Sequence, residues 1–191
     1  MKAVSFDPSI TTPRLVIRPA NMTDLPQVQA AKEAMWPELQ QWMSWAYDDQ
    51  KPLAALEKTI GEATDPCTLL WGFCRETGDY VVSTGLSPQP DNPDIYETGY
   101  WVAKPYLRRG FATEATNAAI RYAFGAKAAK AVTIGYFEGN DKSRAIIEKL
   151  GFAPLDVRIA AHKRCSDGEV MDEYKYIRTE IDGLPDLDVI W

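Results

Sequence analysis

Residues 97–115 read ETGYWVAKPYLRRGFATEA, and the fold follows from how this stretch changes character along its length. Tyr100, Trp101 and Val102 are aromatic and β-branched in sequence, which predicts a strand. Lys104-Pro105 ends it, because proline donates nothing to a ladder and holds its predecessor extended. Arg108, Arg109 and Gly110 make a basic turn, and Ala112, Thr113, Glu114 and Ala115 begin a helix. A strand, a basic glycine turn and a helix start together form an anion site. The first helical N–H groups lack intrahelical partners, the helix dipole adds positive potential, and glycine lets a ligand approach the backbone. The two arginines suit phosphate oxygens. Alone, the same residues also fit a surface turn with two solvated arginines.

Outward from this stretch, alternation and turn chemistry place the other elements. Arg14–Pro19 reads as a first strand. Thr23 or Asp24 caps a helix that runs to about Met35, where Pro37 breaks it. Residues 36–45 are dense in tryptophan, and a second helix starts at Pro52 with Leu53, Leu56 and Ile60 at helical spacing. Thr68–Cys74 and Tyr80–Leu86 form a hairpin around Thr77-Gly78-Asp79. Residues 88–93, PQPDNP, read as a loop before the strand Ile95–Ala103. In the helix that follows, Ala112, Ala115, Ala119 and Ala123 make a small-residue stripe that allows close approach to a sheet. Lys130–Phe137 is a strand, Asn140 caps a helix with Ile146, Ile147 and Leu150 on its apolar face, and Gly151 sits at a left-handed C-cap. A long hairpin closes the chain, with Leu155, Val157, Ile159 and Ala161 alternating before a turn at Ser166-Asp167-Gly168. The return strand runs from Val170 to Ile181.

Composition excludes several classes. The 191 residues suit one domain over 1–191, and 46% hydrophobic with 25% charged residues are globular values. No apolar run approaches the ~20 residues of a membrane helix, and MKAVSFDPSITT lacks the apolar region of a signal peptide. A cytoplasmic protein without a membrane partner is expected. The net charge of −6 argues against nonspecific nucleic-acid binding and favours cationic partners. Cys67, Cys74 and Cys165 show no metal spacing, and with one histidine in the chain no metal site is expected.

The stretch that opens this reading resembles the acetyl-CoA-binding motif of the GNAT-type N-acetyltransferases. It is most similar to their ribosomal-protein N-terminal branch, RimJ and RimL. The superfamily pattern Gln/Arg-x-x-Gly-x-Gly/Ala is matched by residues 107–112, except that Leu107 replaces the Gln or Arg. Thr12-Pro13-Arg14-Leu15, Asn140-x-x-Ser143 and Leu150-Gly151-Phe152 match in order, so the resemblance spans nearly the whole chain. It implies an α/β (α+β) GNAT fold: a mixed, mostly antiparallel sheet of about seven strands with helices on both faces, in the order β-α-α-β-β-β-α-β-α-β-β.

The resemblance further implies acetyl-CoA as cosubstrate. Its pantetheine arm would lie along Trp101, Val102 and Ala103, and its pyrophosphate on Arg108, Arg109, Gly110, Phe111, Ala112 and Thr113. Asn140 and Ser143 would face the thioester. Many relatives carry a tyrosine where this chain has Ile147, which leaves Ser143 to assist the leaving thiolate. Glu97 and His162 are the candidate bases, and ordered water is the alternative to both. Glu114 reads as a structural first-turn carboxylate. Trp36, Trp42 and Trp45 either pack in the core or line the acceptor pocket. The implied activity is acetyl transfer to a primary amine, with a protein N-terminus as first acceptor and small amines (aminoglycosides, polyamines, aminoacyl compounds) as the alternative. A non-catalytic acyl-CoA-binding module is the rival reading. The assembly is a monomer or homodimer.

Overall fold

The computed structural model describes residues 9–191. The reading of the first residues as free of a signal peptide falls largely on 1–8, outside the described residues. In chain order the elements are β1 (Ile10–Thr11), β2 (Leu15–Pro19), α1 (Leu25–Ala34), α2 (Trp36–Trp42), α3 (Leu53–Glu62), β3 (Leu70–Cys74), β4 (Tyr80–Gln89), β5 (Asn92–Val102), α4 (Phe111–Gly125), β6 (Ala131–Phe137), α5 (Asp141–Lys149), β7 (Ala153–Lys163) and β8 (Val170–Arg178). The strands form one eight-stranded sheet in the order β1-β2-β3-β4-β5-β6-β8-β7. Every neighbouring pair is antiparallel except β5 and β6.

The sheet has one strand more than the seven expected. The addition is β1, two residues that pair with β2 and bridge to Ile190 near the C-terminus. Two further expectations need correction. Asp24 does not cap α1, because Arg18 engages both its carboxylate oxygens at 2.6 and 2.9 Å. Asn21 instead caps the short 3-10 turn before α1, accepting the Thr23 N–H at 2.9 Å. Residues 88–93 are not a loop but the tip of a long hairpin, with Pro88 opposite Tyr96 and Gln89 opposite Asn92 across a register shift. Pro37 stops α1 by serving in the first turn of the next helix, where its missing N–H costs nothing.

Helix α4 lies close to the sheet because its stripe is small: Ala115, Ala118, Ala119 and Ala123 are fully buried. They join two apolar clusters, one over β2–β5 and one reaching β6 and α5 through Ile134, Ile147 and Leu150. At the C-terminal end of α5, Gly151 takes φ 67°, as the left-handed cap requires. The buried Arg178 guanidinium donates to the carbonyls of Leu150 and Gly151 there, and to those of Glu180 and Asp182 beyond. Strand β7 ends the sheet uncovered, so Leu155, Val157 and Ile159 stay exposed despite their alternation.

One irregularity positions everything functional. The parallel pair β5/β6 holds register at only Ile95↔Ala131, Tyr96↔Val132 and Glu97↔Thr133. Beyond that point β5 runs on to Val102 and β6 to Phe137 without pairing, so the sheet opens into a wedge. Along β5 the ladder to β4 continues, with Ala103 N–H donating to the Val81 carbonyl at 2.8 Å. Antiparallel ladders alternate direction, so Thr98, Tyr100 and Val102 turn their main-chain groups toward the gap.

Candidate active site

The wedge opens into a cavity of about 670 Å³. Its walls include Thr98–Trp101 from β5, Ile134–Phe137 from β6, and Asn140 and Ser143 from the start of α5. Trp42 at the end of α2 and Met43, Ser44 and Trp45 from the segment after it close it. A Cβ added at Gly99 would meet nothing within 4 Å, so the strand leaves that flank open.

At the far end of β5 the chain passes through the 3-10 turn Lys104–Tyr106 and reverses at residues 107–110. Arg108 and Gly110 both take left-handed backbone, φ 59° and 81°. Gly110 is the N-cap of α4 and offers no side chain to the first helical N–H groups. Those donors remain available to an anion. The turn is braced from behind. Glu114, 8% exposed, accepts the Thr12 hydroxyl at 2.6 Å, the Arg14 main-chain N–H at 3.1 Å and the Arg14 guanidinium at 2.5–2.6 Å. Arg14 in turn donates to the Arg109 carbonyl at 2.8 Å and lies 4.2 Å over the Phe111 ring. The residues at 12–15 and 107–114 thus form one unit, with Glu114 in the structural role its position suggested.

The sequence-derived candidates divide by location. Asn140 caps α5 by accepting the Ser143 N–H at 3.2 Å, which fixes Ser143 in the first turn beside the wedge. Ile147, one turn later, is fully buried and presents nothing to the cavity. Glu97 lines the cavity but is engaged by the buried Lys175 ammonium at 2.6 Å. That ammonium also holds Glu173, another cavity residue, at 3.0 Å. Gly135 makes room for this triad, since a Cβ there would lie 2.8 Å from the Glu173 carboxylate. His162 stacks on Phe137 with ring centroids 4.7 Å apart and sits behind the wall rather than in it. Burial pushes its imidazole below the ordinary value, and the Glu173 carboxylate pulls partly back. Trp42 and Trp45 line the cavity, whereas Trp36 packs with Met35, Leu39 and Ala46 at 4% exposure. The expectation that all three could line the pocket is corrected for Trp36, because its ring fills the space between α2 and the following turn. Trp101 lines the cavity, and Val102 and Ala103 are buried beyond it.

Two cavity residues had no signal of their own in the sequence. Glu173 stands on the return strand with no motif around it, and only the register Phe137↔Glu173 brings it under the wedge. Tyr100 reads as a strand aromatic, yet its hydroxyl lies 3.1 Å from Ser143 Oγ. Burial raises its phenol to about 12.

The site thus combines a splayed parallel strand pair, a helix N-terminus without a side-chain cap and a serine hydroxyl at the cavity wall. Residues 14–153 match the family described as an acetyltransferase (GNAT) domain. The chain belongs to the GNAT family. Among curated proteins, this GNAT domain is 43% identical over 56 residues to YdaF of Bacillus subtilis, whose name marks it as a candidate ribosomal N-acetyltransferase. That match covers 29% of this chain, which spans about a third (31%) of the length of the relative. Among solved structures, the ribosomal-protein-S5-alanine acetyltransferase from Vibrio fischeri superposes with a TM-score of 0.79 at 16% identity, covering 94% of this chain and 100% of that one. RimJ of Mycobacterium smegmatis in complex with CoA-disulfide gives 0.76 at 19% identity, covering 91% and 88%. At these identities the two structures bear on the fold, and the GNAT fold is what they share with this chain. Among the described residues no helix is long and apolar enough to cross a membrane.

Proposed function

We propose that residues 1–191 act as a single GNAT domain that transfers an acetyl group from acetyl-CoA to a primary amine, with a protein N-terminal α-amino group as first acceptor. The observation that carries the reading is the wedge between β5 and β6, with Ser143 in its wall and the braced Arg108–Gly110 turn following β5 in the chain. The residues present fit the cosubstrate. The main chain of Tyr100 and Val102 faces the gap as a strand edge that an extended amide-bearing arm can join. The helix N-terminus with Arg108 and Arg109 takes the pyrophosphate. Bound acetyl-CoA supplies a thioester carbonyl open to attack.

The protein's share of the chemistry is positioning and charge. Trp42 and Trp45 confine the acceptor, while Glu97 and Glu173 place negative charge where a cationic amine enters. With one ammonium between two carboxylates, the triad carries a net −1 and favours an amine over a neutral competitor. Ser143 stands at the wedge to hydrogen-bond the leaving sulfur. Likeness to named ribosomal-protein acetyltransferases supports the N-terminal acceptor.

A thiol-release assay over peptides with free N-termini, aminoglycosides, polyamines and aminoacyl compounds tests the reading. Acceptor-dependent release with peptides is expected. Release only with small amines would replace the acceptor. Tight acetyl-CoA binding with no release anywhere would favour the non-catalytic module, a reading that the apolar Ile147 at the position of the relatives' tyrosine keeps in view.

A further inference from the structure

We propose that Tyr100 is a positioning residue that aims the Ser143 hydroxyl at the departing sulfur, so that two hydroxyls on different elements work as one hydrogen-bond donor. The inference rests on the transferase reading above and adds a residue to it. It starts from the 3.1 Å contact between Tyr100 Oη and Ser143 Oγ, both at the cavity wall. Tyr100 is held from both sides. Its ring packs against the apolar cluster over β2–β5 and against the one that reaches α5. Ser143 is held by its own N–H on Asn140. The fold thus brings the Tyr100 ring and the Ser143 main chain to fixed places on either side of the contact.

The 3.1 Å contact admits either hydroxyl as donor, and the proposed arrangement is the one in which the phenol donates. The phenol sits in a wall that disfavours its anion, so it keeps its proton across the working pH range. Its one hydrogen-bonding partner among the described residues is Ser143 Oγ. In the proposed arrangement the Tyr100 O–H donates and the serine oxygen accepts. That leaves the serine hydrogen free to point into the wedge and makes it a stronger donor, because a hydroxyl whose oxygen already accepts is polarised.

In the reaction the amine nitrogen bonds to the acetyl carbonyl carbon, the carbon–sulfur bond breaks, and the electron pair leaves on sulfur. Ser143 O–H hydrogen-bonds that sulfur as charge builds. The proton shed by the nitrogen reaches the sulfur through solvent, so amide and thiol form and neither hydroxyl ends ionised. An unaided serine is a weak donor for this task. The phenol behind it polarises the serine hydroxyl, and its own oxygen does not touch the sulfur.

The test replaces Tyr100 alone, first by Phe and then by fluorotyrosines of graded acidity, in the full chain. Single-turnover thiol release with a peptide acceptor is the readout, alongside acetyl-CoA affinity by calorimetry. Tyr100→Phe should lower kcat about ten- to a hundredfold with acetyl-CoA affinity unchanged. The fluorotyrosines, which keep the ring and the fold, should raise the rate about two- to fivefold as the phenol becomes more acidic. In a Ser143→Ala background both effects should vanish, because Tyr100 acts only through that oxygen. A flat fluorotyrosine series, or a Tyr100→Phe loss that multiplies with that of Ser143→Ala, overturns the positioning role and leaves the transferase reading standing. A wild type that binds acetyl-CoA but acetylates nothing overturns both.

Discussion

Removing the Glu114 carboxylate should unfold the Arg108–Gly110 turn from behind. In Glu114→Ala the Thr12 hydroxyl, the Arg14 main-chain N–H and the Arg14 guanidinium all lose their acceptor. At about 1.5–3 kcal/mol per bond to a charged group the simple sum over these three is about 4.5–9 kcal/mol, but that overcounts. The Arg14 side chain is 44% exposed, so water replaces much of its share, and Thr12 keeps its exchange with Leu15. What remains is chiefly the two inner donors, which sets the expected loss at about 2–4 kcal/mol. For a chain of this size that corresponds to a fall in Tm of roughly 5–15 °C. Glu114→Gln, which can still accept from Thr12, should lose about half as much. The Arg14–Arg109 link also ties this network to the turn, so acetyl-CoA affinity should drop about tenfold, or ~1.4 kcal/mol. Urea unfolding and calorimetric titration measure the two quantities. A Glu114→Ala protein within ~0.5 kcal/mol of wild type would refute the account of the brace, and normal affinity in a destabilised variant would refute its link to the turn.

Three other outcomes follow from the geometry. Replacing Arg108 and Arg109 together by Ala should weaken acetyl-CoA binding by ~2–4 kcal/mol, and unchanged affinity at moderate salt would remove the pyrophosphate from that turn. His162, the one histidine in the chain, should titrate by NMR below its ordinary 6.5, since burial lowers it. The unfolded chain then takes the proton first, so stability present above pH 6.5 is lost as pH falls toward the folded value and levels off beneath it; a midpoint at or above 6.5 would contradict this. A kcat/KM limb carried by His162 should therefore lie well under that of an α-amino acceptor, near ~7.7–8.0. Gly85→Ala should cost ~3 kcal/mol or more in denaturant melts, because its Cβ would sit 2.1 Å from the Thr68 carbonyl oxygen, and a near-neutral result would show that β4 can shift there.

Local chemistry made much of this molecule legible. The proline at 105, the glycine at 110, the Asn140 cap and the Gly151 terminus each announce an element boundary through their own backbone preferences, and each boundary falls within a residue or two of expectation. The order of elements then reproduces the one expected, apart from the two-residue β1 and the seven-residue α2, about two turns long. Sequence failed where a partner outbid the local preference. Asp24 looks like a cap until Arg18 claims it, and the prolines at 88 and 93 look like a loop until β4 and β5 zip past them. The candidate site shows the same divide. Ser143 could be found because its Asn140 partner is three residues away. Its other partner, Tyr100, is 43 residues distant, and Glu97 meets Lys175 across 78, so only the sheet register brings them together.

The short parallel register at the middle of the sheet has a mechanical meaning. Three residue pairs join the half made of β1–β5 to the half made of β6, β8 and β7, although α4 and the apolar clusters also span the join. A continuous sheet transmits a pull from edge to edge, whereas this one has a seam that is stitched at one end and open at the other. A molecule laid along the open end would complete the stitching and turn two stiff plates into one. On the proposed reading, the opening that would admit a cosubstrate is the same place where the two halves of the sheet are least joined to each other by ladder hydrogen bonds.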